Sequence, residues 1–135
     1  MTDQIAKKII VVEDEQYLRE LYVQILHQEG YDVDSAEDGE QAFEKLSKNQ
    51  YDLVLLDVIL PKMDGLQILE KLSKINNGKF GNTVLLTNLG QDLVVAKALD
   101  YGVRGYMIKS DYTPEEMVNE VKGYLDNGEV KSALK

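Results

Sequence analysis

The chain has 135 residues, enough for one domain with its own hydrophobic core. Its 15 Lys and Arg against 24 Asp and Glu give a net charge of -9, which disfavours direct binding to nucleic acid or anionic membranes. The absence of cysteine excludes disulfides and zinc–thiolate sites, and the single histidine excludes a multi-histidine metal site. No apolar run approaches the roughly 20 residues of a membrane helix, so we expect a cytoplasmic protein.

Short apolar runs predict five β-strands, each followed by a segment with helical spacing of apolar residues. The predicted strands are residues 9–12, 31–36, 53–56, 83–87 and 106–108. The second alternates, with Asp32 and Asp34 on the opposite face from Val33, which is typical of an edge strand with one solvent-facing side. The third has four consecutive apolar residues, which indicates burial on both faces of a sheet.

Capping signals mark the start of two predicted helices. Asp38 and Gln41 predict the start of the second helix, and the fifth combines Thr113 as its cap, Pro114 as its first residue and Glu116 as the capping-box partner. The residues from Leu93 to Leu99 supply the fourth helix, which Gly102 closes. In the other four helices the apolar residues expected to face the core are Leu18, Leu21, Tyr22, Ile25 and Leu26 in the first, Ala42, Phe43 and Leu46 in the second, Leu66, Leu69, Leu72 and Ile75 in the third, and Met117, Val118, Val121, Tyr124 and Leu125 in the fifth.

Strands and helices in alternation predict an α/β fold, a doubly wound five-stranded parallel sheet with five helices covering both faces. The flavodoxin-like strand order 2-1-3-4-5 is borrowed from known doubly wound proteins, and it places the alternating second strand at an edge. We assign residues 1–127 to this single domain and residues 128–135 to a C-terminal tail.

Polar residues follow four of the predicted strands. Glu13 and Asp14 come after the first strand, Asp57 after the third, Thr87 at the end of the fourth and Lys109 after the fifth. Any one of these acids alone would be read more simply as a turn cap. Because the carboxyl ends of parallel strands meet at one edge of a sheet, we expect all five side chains to surround one crevice.

The charges of that crevice predict its chemistry. Glu13, Asp14 and Asp57 sum to three negative charges and Lys109 offsets one, so the crevice either raises a carboxyl pKa or takes up a cation. Mg²⁺ suits such a site, because it prefers oxygen ligands, keeps several waters and accepts a phosphoryl oxygen. Lys109 and Thr87 would then donate to phosphoryl oxygens, and Asp57 would be a nucleophile that forms an acyl phosphate.

The sequence resembles the receiver domains of two-component response regulators over residues 7–125. The matching motifs are Val12-Glu-Asp-Glu15, Leu56-Asp-Val-Ile-Leu-Pro-Lys-Met-Asp-Gly65, Leu86-Thr87 and Gly105-Tyr-Met-Ile-Lys109. The resemblance implies that Asp57 accepts a phosphoryl group from a sensor histidine kinase, a phosphotransfer protein or a small phosphodonor. It also implies that Asp14, Asp57 and the backbone carbonyl of Ile59 hold Mg²⁺, and that Glu13 acts through a metal-bound water.

The resemblance further implies a switch, in which the Thr87 hydroxyl moves to the phosphoryl group and the Tyr106 ring turns inward. The surface of the fourth helix, fifth strand and fifth helix would then change and control the binding of a downstream output protein, or of a second copy in a phosphorylation-dependent homodimer. On this interpretation the chain catalyses only its own phosphotransfer and dephosphorylation, and it contacts neither nucleic acid nor membrane. The alternative for Tyr106 is an ordinary half-buried strand tyrosine.

Three positions depart from the family's usual pattern. Ser110 stands where a proline commonly follows the lysine, so we expect a trans bond between Lys109 and Ser110. Asn88 is larger than the usual residue at its position, which affects phosphate access. Ile59 and Leu89 are apolar where relatives often carry polar groups that place the hydrolytic water, so we expect slow loss of phosphate.

Three other classes of protein fit part of the pattern. A phosphatase of the haloacid dehalogenase type expects a second acid two residues after its nucleophile, where Ile59 stands. A flavin-binding module needs a phosphate-binding loop after the first strand, where residues 13–15 are acidic. A phosphate-independent scaffold stays open. We expect a stand-alone domain, with a receiver cut from a longer regulator as the alternative.

Overall fold

The computed structural model describes residues 5–75 and 79–127, which form one parallel five-stranded sheet in the predicted order β2-β1-β3-β4-β5. The strands are β1 Lys8–Val12, β2 Asp32–Ala36, β3 Leu53–Asp57, β4 Thr83–Thr87 and β5 Gly105–Ile108. The helices are α1 Gln16–Gln28, α2 Gly39–Lys48, α3 Gly65–Ser73, α4 Asp92–Leu99 and α5 Pro114–Asn127, with a short 3-10 helix at Lys109–Asp111. This flavodoxin-like α/β fold confirms the predicted class. The predicted tail, residues 128–135, lies outside the described residues.

Two separate hydrophobic clusters cover the two faces of the sheet. Because side chains alternate along a strand, Ile9 of β1 belongs to the cluster under α1 and α5, while Ile10 belongs to the cluster under α2, α3 and α4. Every residue of β3 and of β4 is buried, which confirms the prediction that the 53–56 run is covered on both sides. No helix in the described part of the chain is long and apolar enough to cross a membrane.

Helix capping follows the sequence signals closely. The Asp38 carboxylate accepts the Gln41 N–H at 2.8 Å, as predicted. The predicted capping box of α5 is also present, since the backbone N–H of each of Thr113 and Glu116 donates to the other's side chain, at 2.9 and 3.1 Å. A second capping box, between Asp64 and Gln67, starts α3 and was not predicted, although its D-x-x-Q spacing is visible in the sequence. Each such cap stabilises its helix by about 1 kcal/mol.

The predicted core position Ile75 is wrong, and the fourth helix packs through residues that its sequence did not single out. Ile75 lies beyond the end of α3 and is 58% exposed, whereas Ile68, absent from the predicted stripe, is fully buried. Leu93 is 80% exposed, because the short helix α4 packs on the sheet through Val95 and Ala98. Helix α4 is apolar on almost every side, so its spacing alone does not identify the buried side.

The edge position of β2 is confirmed, but the face predicted to be solvated is partly covered. Asp34 accepts hydrogen bonds from Lys45 Nζ at 2.9 Å and from the Tyr51 hydroxyl at 2.8 Å. Its pKa is lowered, because these hydrogen bonds outweigh the opposing effect of burial. The acid therefore ties the edge strand to α2 and to the start of β3.

Candidate functional site

Four of the predicted site residues meet at the carboxyl edge of the sheet. Carboxylate oxygens of Glu13, Asp14 and Asp57 lie within 4.8 Å of one another. Lys109 Nζ donates to Glu13 Oε1 and to Asp57 Oδ2, both at 2.5 Å. Glu13 and Asp57 are buried, whereas Asp14 is exposed. The structure thus assembles an acid cluster bridged by one ammonium group.

The sheet register explains why these residues meet. Val12 and Leu56 are paired neighbours in β1 and β3, so Glu13 lies beside Asp57. Lys109 follows β5, which is separated from β3 by β4, and its long side chain spans that distance. Glu13 is fixed further, because its Oε2 accepts the backbone N–H of Glu15 at 3.0 Å.

The electrostatics of the cluster follow from its burial. Burial raises the pKa of the Glu13 and Asp57 carboxyl groups, although the hydrogen bonds from Lys109 act in the opposite direction. Burial lowers the pKa of Lys109, but the hydrogen bonds to Asp57 and Glu13 outweigh it, so the pKa lies above its usual value. Lys109 is therefore cationic, and when all three acids are ionised two negative charges stay uncompensated.

The start of α3 packs directly against the strand that carries Asp57. A Cβ at Gly65 would lie 2.9 Å from Val58 Cα and 3.0 Å from the Asp57 carbonyl oxygen, so only glycine fits there without movement. The Ile59 N–H donates to Asp57 Oδ1 at 3.1 Å, so it holds the carboxylate oxygen that Lys109 does not bond. The side chain of Ile59 is 48% exposed on the wall of the crevice. The role of its carbonyl as a metal ligand stays a prediction.

Thr87 and Tyr106 line a neighbouring cavity instead of the acid crevice. Thr87 is buried at the end of β4, and its hydroxyl donates to the Asn88 carbonyl at 3.1 Å. Both residues line a cavity of about 220 Å³ bounded by α4, whereas Asn88 also borders the acid crevice of about 540 Å³. Asn88 therefore stands at the border between the two spaces.

The bond between Lys109 and Ser110 is trans, as predicted, and no cis peptide bond occurs within the described ranges. Ser110 also lines the acid crevice, in the 3-10 helix that follows β5. The position after the lysine is therefore part of the crevice wall.

Sequence reasoning missed one residue at the site, Arg19 of α1. Its Nη1 donates to the backbone carbonyls of Glu13 and Asp14 at 3.0 and 3.3 Å, and its Nη2 lies 3.7 Å from Glu37 Oε2. The only signal in the sequence is a cation on the turn of helix that follows the acids, which is common on exposed helices and carried no specific meaning.

Comparison with known proteins agrees with the geometry. The family model for the response regulator receiver domain matches residues 9–122. The chain belongs to this family. The transcriptional regulatory protein SrrA of Staphylococcus aureus is 31% identical over 120 residues, which is 89% of this chain and 48% of SrrA. This receiver domain thus spans about half the length of the curated relatives it matches.

Solved structures of receiver domains show the same fold. A CheY-like response regulator receiver domain protein from Methanospirillum hungatei JF-1 is 28% identical with a TM-score of 0.78, covering 90% of this chain and 95% of that one. The response regulator DrrB of Thermotoga maritima, an OmpR/PhoB homolog, is 25% identical with a TM-score of 0.75, covering 93% of this chain and 55% of that one. Membership in the receiver family removes the phosphatase and flavin-binding alternatives.

The acids of this receiver domain fit a hard divalent cation. Glu13, Asp14 and Asp57 supply oxygen donors only, and their oxygens are close enough to share one ion or its water shell. Asp14 is exposed, so the cluster opens to solvent on one side. The excess negative charge described above gives a cation a reason to bind there.

Proposed function

We propose that this receiver domain is a phosphorylation-controlled switch that accepts a phosphoryl group on Asp57 from a sensor histidine kinase or a phosphotransfer protein. The observation that supports this most directly is the buried Asp57 carboxylate, bonded to Lys109 and grouped with two further acids within 4.8 Å. Outside its own phosphotransfer and dephosphorylation we assign the chain no enzymatic activity.

In the proposed transfer, an oxygen of Asp57 forms a bond to phosphorus while the phosphorus–nitrogen bond of a phosphohistidine breaks. The electron pair of the broken bond stays on the donor imidazole, which takes up a proton. The Ile59 N–H and Lys109 hold the two oxygens of Asp57, so the nucleophile is oriented before the donor arrives. Lys109 then stabilises negative charge on the phosphoryl oxygens, which lie close to its present partners.

Asp14 and Asp57, with the backbone carbonyl of Ile59, are the proposed ligands of Mg²⁺, and Glu13 would act through a water. When bound, the ion neutralises charge on the phosphoryl oxygens and shields the incoming group from the acids. Lys109 and the Glu15 N–H each bond one oxygen of Glu13, so they hold this carboxylate beside Asp57.

Phosphorylation would change the charge that Thr87 and Lys109 face, because a phosphoryl group adds charge and strong acceptor oxygens. The Thr87 hydroxyl would leave the Asn88 carbonyl for a phosphoryl oxygen, and the loop before α4 would follow. The cavity of about 220 Å³ beside Tyr106 gives its ring space to turn inward. The two hydroxyl-bearing residues therefore form the proposed switch.

The surface of α4, β5 and α5 is the proposed output surface. Leu93 and Leu99 of α4 are exposed, and large apolar side chains at a surface favour protein contacts. We propose that a downstream output protein or output domain binds there, with a homodimer as the second candidate occupant. SrrA is named as a transcriptional regulatory protein. We assign any contact with DNA to a separate domain or partner, because this chain carries a net charge of -9.

Incubation with acetyl phosphate or phosphoramidate, with and without Mg²⁺, tests the proposal when the intact mass is then measured. Wild type should gain the mass of one phosphoryl group only with Mg²⁺, and Asp57→Asn should gain none. Asp32→Asn, at an exposed site on β2, is the matched control and should behave as wild type. If wild type gains no mass with either donor, the phosphate-independent scaffold is the better description.

A further inference from the structure

We propose that Arg19 is a positioning residue for the acid cluster, because its guanidinium fixes the backbone of the loop that carries Glu13 and Asp14. This inference rests on the proposed function, in which those two acids serve a metal ion. The three acids would hold the ion, and Arg19 is not one of its proposed ligands. It acts through the main chain that presents two of them.

The contacts of Arg19 are specific for main-chain carbonyls. Nη1 carries two N–H groups, and it lies 3.0 Å from the Glu13 carbonyl oxygen and 3.3 Å from that of Asp14. Nη2 lies 3.7 Å from Glu37 Oε2, which is an ion-pair contact too long for a hydrogen bond. The side chain is only 13% exposed, so the guanidinium is held in place and is not a freely moving surface cation.

The position of Arg19 in α1 lets it reach back to the loop. Its own backbone N–H donates to the Glu15 carbonyl at 2.9 Å, and the Glu15 side chain accepts the Leu18 N–H at 3.1 Å. The first turn of the helix is thus anchored on Glu15, directly after the two acids. From this anchored turn the Arg19 side chain reaches back to the two preceding carbonyls. The loop is therefore held at Glu15, where the helix begins, and at the carbonyls of Glu13 and Asp14.

Holding two consecutive carbonyls restricts the rotation of both peptide units. Since each carboxylate is attached to that backbone, a rotation of the peptide displaces the carboxylate oxygens relative to Asp57. Residues that orient metal ligands from outside the ligand set typically change metal affinity by about 10- to 100-fold when they are removed. We expect Arg19 to act at the lower end of that range, because Lys109 and the Glu15 N–H still hold the Glu13 side chain.

Mg²⁺ titration of the full chain, followed by amide NMR shifts, tests this inference without any phosphodonor. Arg19→Ala should weaken Mg²⁺ binding about 10-fold. Arg19→Lys, which keeps the charge but not the planar fork, should give an intermediate affinity. Glu37→Gln is the matched control: it removes the ion-pair partner and leaves the carbonyl bonds, so its affinity should equal that of wild type.

Hydrogen exchange at the Glu15 amide supplies a second measurement that does not depend on metal. This N–H is bonded to Glu13 Oε2 at 3.0 Å, so a loosened loop should expose it and speed its exchange in Arg19→Ala. If Arg19→Ala does not fold, Arg19→Lys is judged by the same two measurements. If the folded variant has the Mg²⁺ affinity and the Glu15 amide exchange rate of wild type, the inference is overturned.

The outcomes separate this inference from the proposed function. If wild type binds Mg²⁺ and gains a phosphoryl mass while Arg19→Ala matches it in affinity and exchange, only the positioning role fails. If wild type neither binds Mg²⁺ nor gains mass, the proposed function fails and the positioning role falls with it. If saturating Mg²⁺ restores the phosphorylation rate of Arg19→Ala, the effect lies in metal binding, as the positioning role requires.

Discussion

Replacing Asp57 by asparagine should stabilise the metal-free protein at neutral pH, although it removes the proposed phosphoacceptor. Burial raises the pKa of Asp57, so the ionised carboxylate is less stable in the folded protein than in the unfolded chain. Asparagine has nearly the same shape and carries no charge. Its carboxamide oxygen can still accept the hydrogen bond from Lys109.

The size of the effect follows from four contributions: repulsion from the other two acids, attraction to Lys109, desolvation of the carboxylate and one lost hydrogen bond. At an effective dielectric constant of about 20, repulsion from each of two acids at the 4.8 Å limit amounts to about 3.5 kcal/mol. Attraction to Lys109 at 2.5 Å amounts to about 6.6 kcal/mol, so the charge–charge contributions nearly cancel. The desolvation of a buried ion costs several kcal/mol, against about 1 kcal/mol for the hydrogen bond lost at the Ile59 N–H. A net gain of about 1–2 kcal/mol is expected.

The stability that Asp57→Asn gains over wild type should increase as the pH rises. The carboxyl pKa of Asp57 is higher in the folded protein than in the unfolded chain, so wild type loses stability as the pH rises from the unfolded to the folded pKa. The variant cannot lose it, so its advantage should be absent in acid, where Asp57 is protonated in both states, and complete above the folded pKa. Added Mg²⁺ should reduce the advantage, because the ion stabilises wild type by binding the folded state.

Urea unfolding in EDTA at several pH values measures this difference directly. Asp32→Asn, at an exposed site, should stay within about 0.5 kcal/mol of wild type at every pH. A gain that is the same in acid and at neutral pH would contradict the electrostatic origin. A loss of stability at neutral pH would show that Lys109 compensates the buried charge completely.

Two further predictions concern the loops around the crevice. Gly39→Ala would place a Cβ 1.6 Å from the Met63 carbonyl oxygen, so it should lower the free energy of unfolding in urea by at least about 2 kcal/mol. Gly81→Ala is the control, because nothing lies within 4 Å of its Cβ, and its stability should stay near that of wild type. Ile59→Asn combined with Leu89→Glu should speed dephosphorylation of the phosphorylated protein, because polar side chains at these exposed positions can orient water. If the double substitution leaves the half-life of the phosphorylated protein unchanged, the apolar side chains of Ile59 and Leu89 do not explain slow dephosphorylation.

The fold and the acid cluster could be predicted because their signals are local or follow from the parallel arrangement. The apolar run before Asp57 indicates a strand covered on both sides, and the end of such a strand must lie at the shared edge. Glu13 then joins the cluster through the register of β1 and β3, and Lys109 joins it from the same sheet edge through its long side chain. Caps were predictable for the same reason, since Thr113 and Glu116 are three residues apart in the chain and need no tertiary information.

Other features depend on packing that local patterns do not encode. The Thr87 hydroxyl could point into the acid crevice or donate to the Asn88 carbonyl. Only the geometry of the loop selects the Asn88 carbonyl. Leu93 and Ile75 have the composition of core residues, but α4 is apolar on most sides and α3 ends early. The role of Arg19 is invisible for a similar reason, because a main-chain carbonyl as a partner leaves no trace in the residue types.

The bridge made by Lys109 suggests how a charge change on Asp57 would reach β5. Its ammonium group joins the ends of β1 and β3, through Glu13 and Asp57, to the residue that follows β5. If Asp57 is phosphorylated as proposed, the acceptor for one of these bonds would move outward, while the Glu15 N–H would keep Glu13 in place. We expect Lys109 to follow the displaced acceptor, and its backbone continues directly from the strand that contains Tyr106. The proposed output surface therefore begins one residue away from the group that balances the charge of the site.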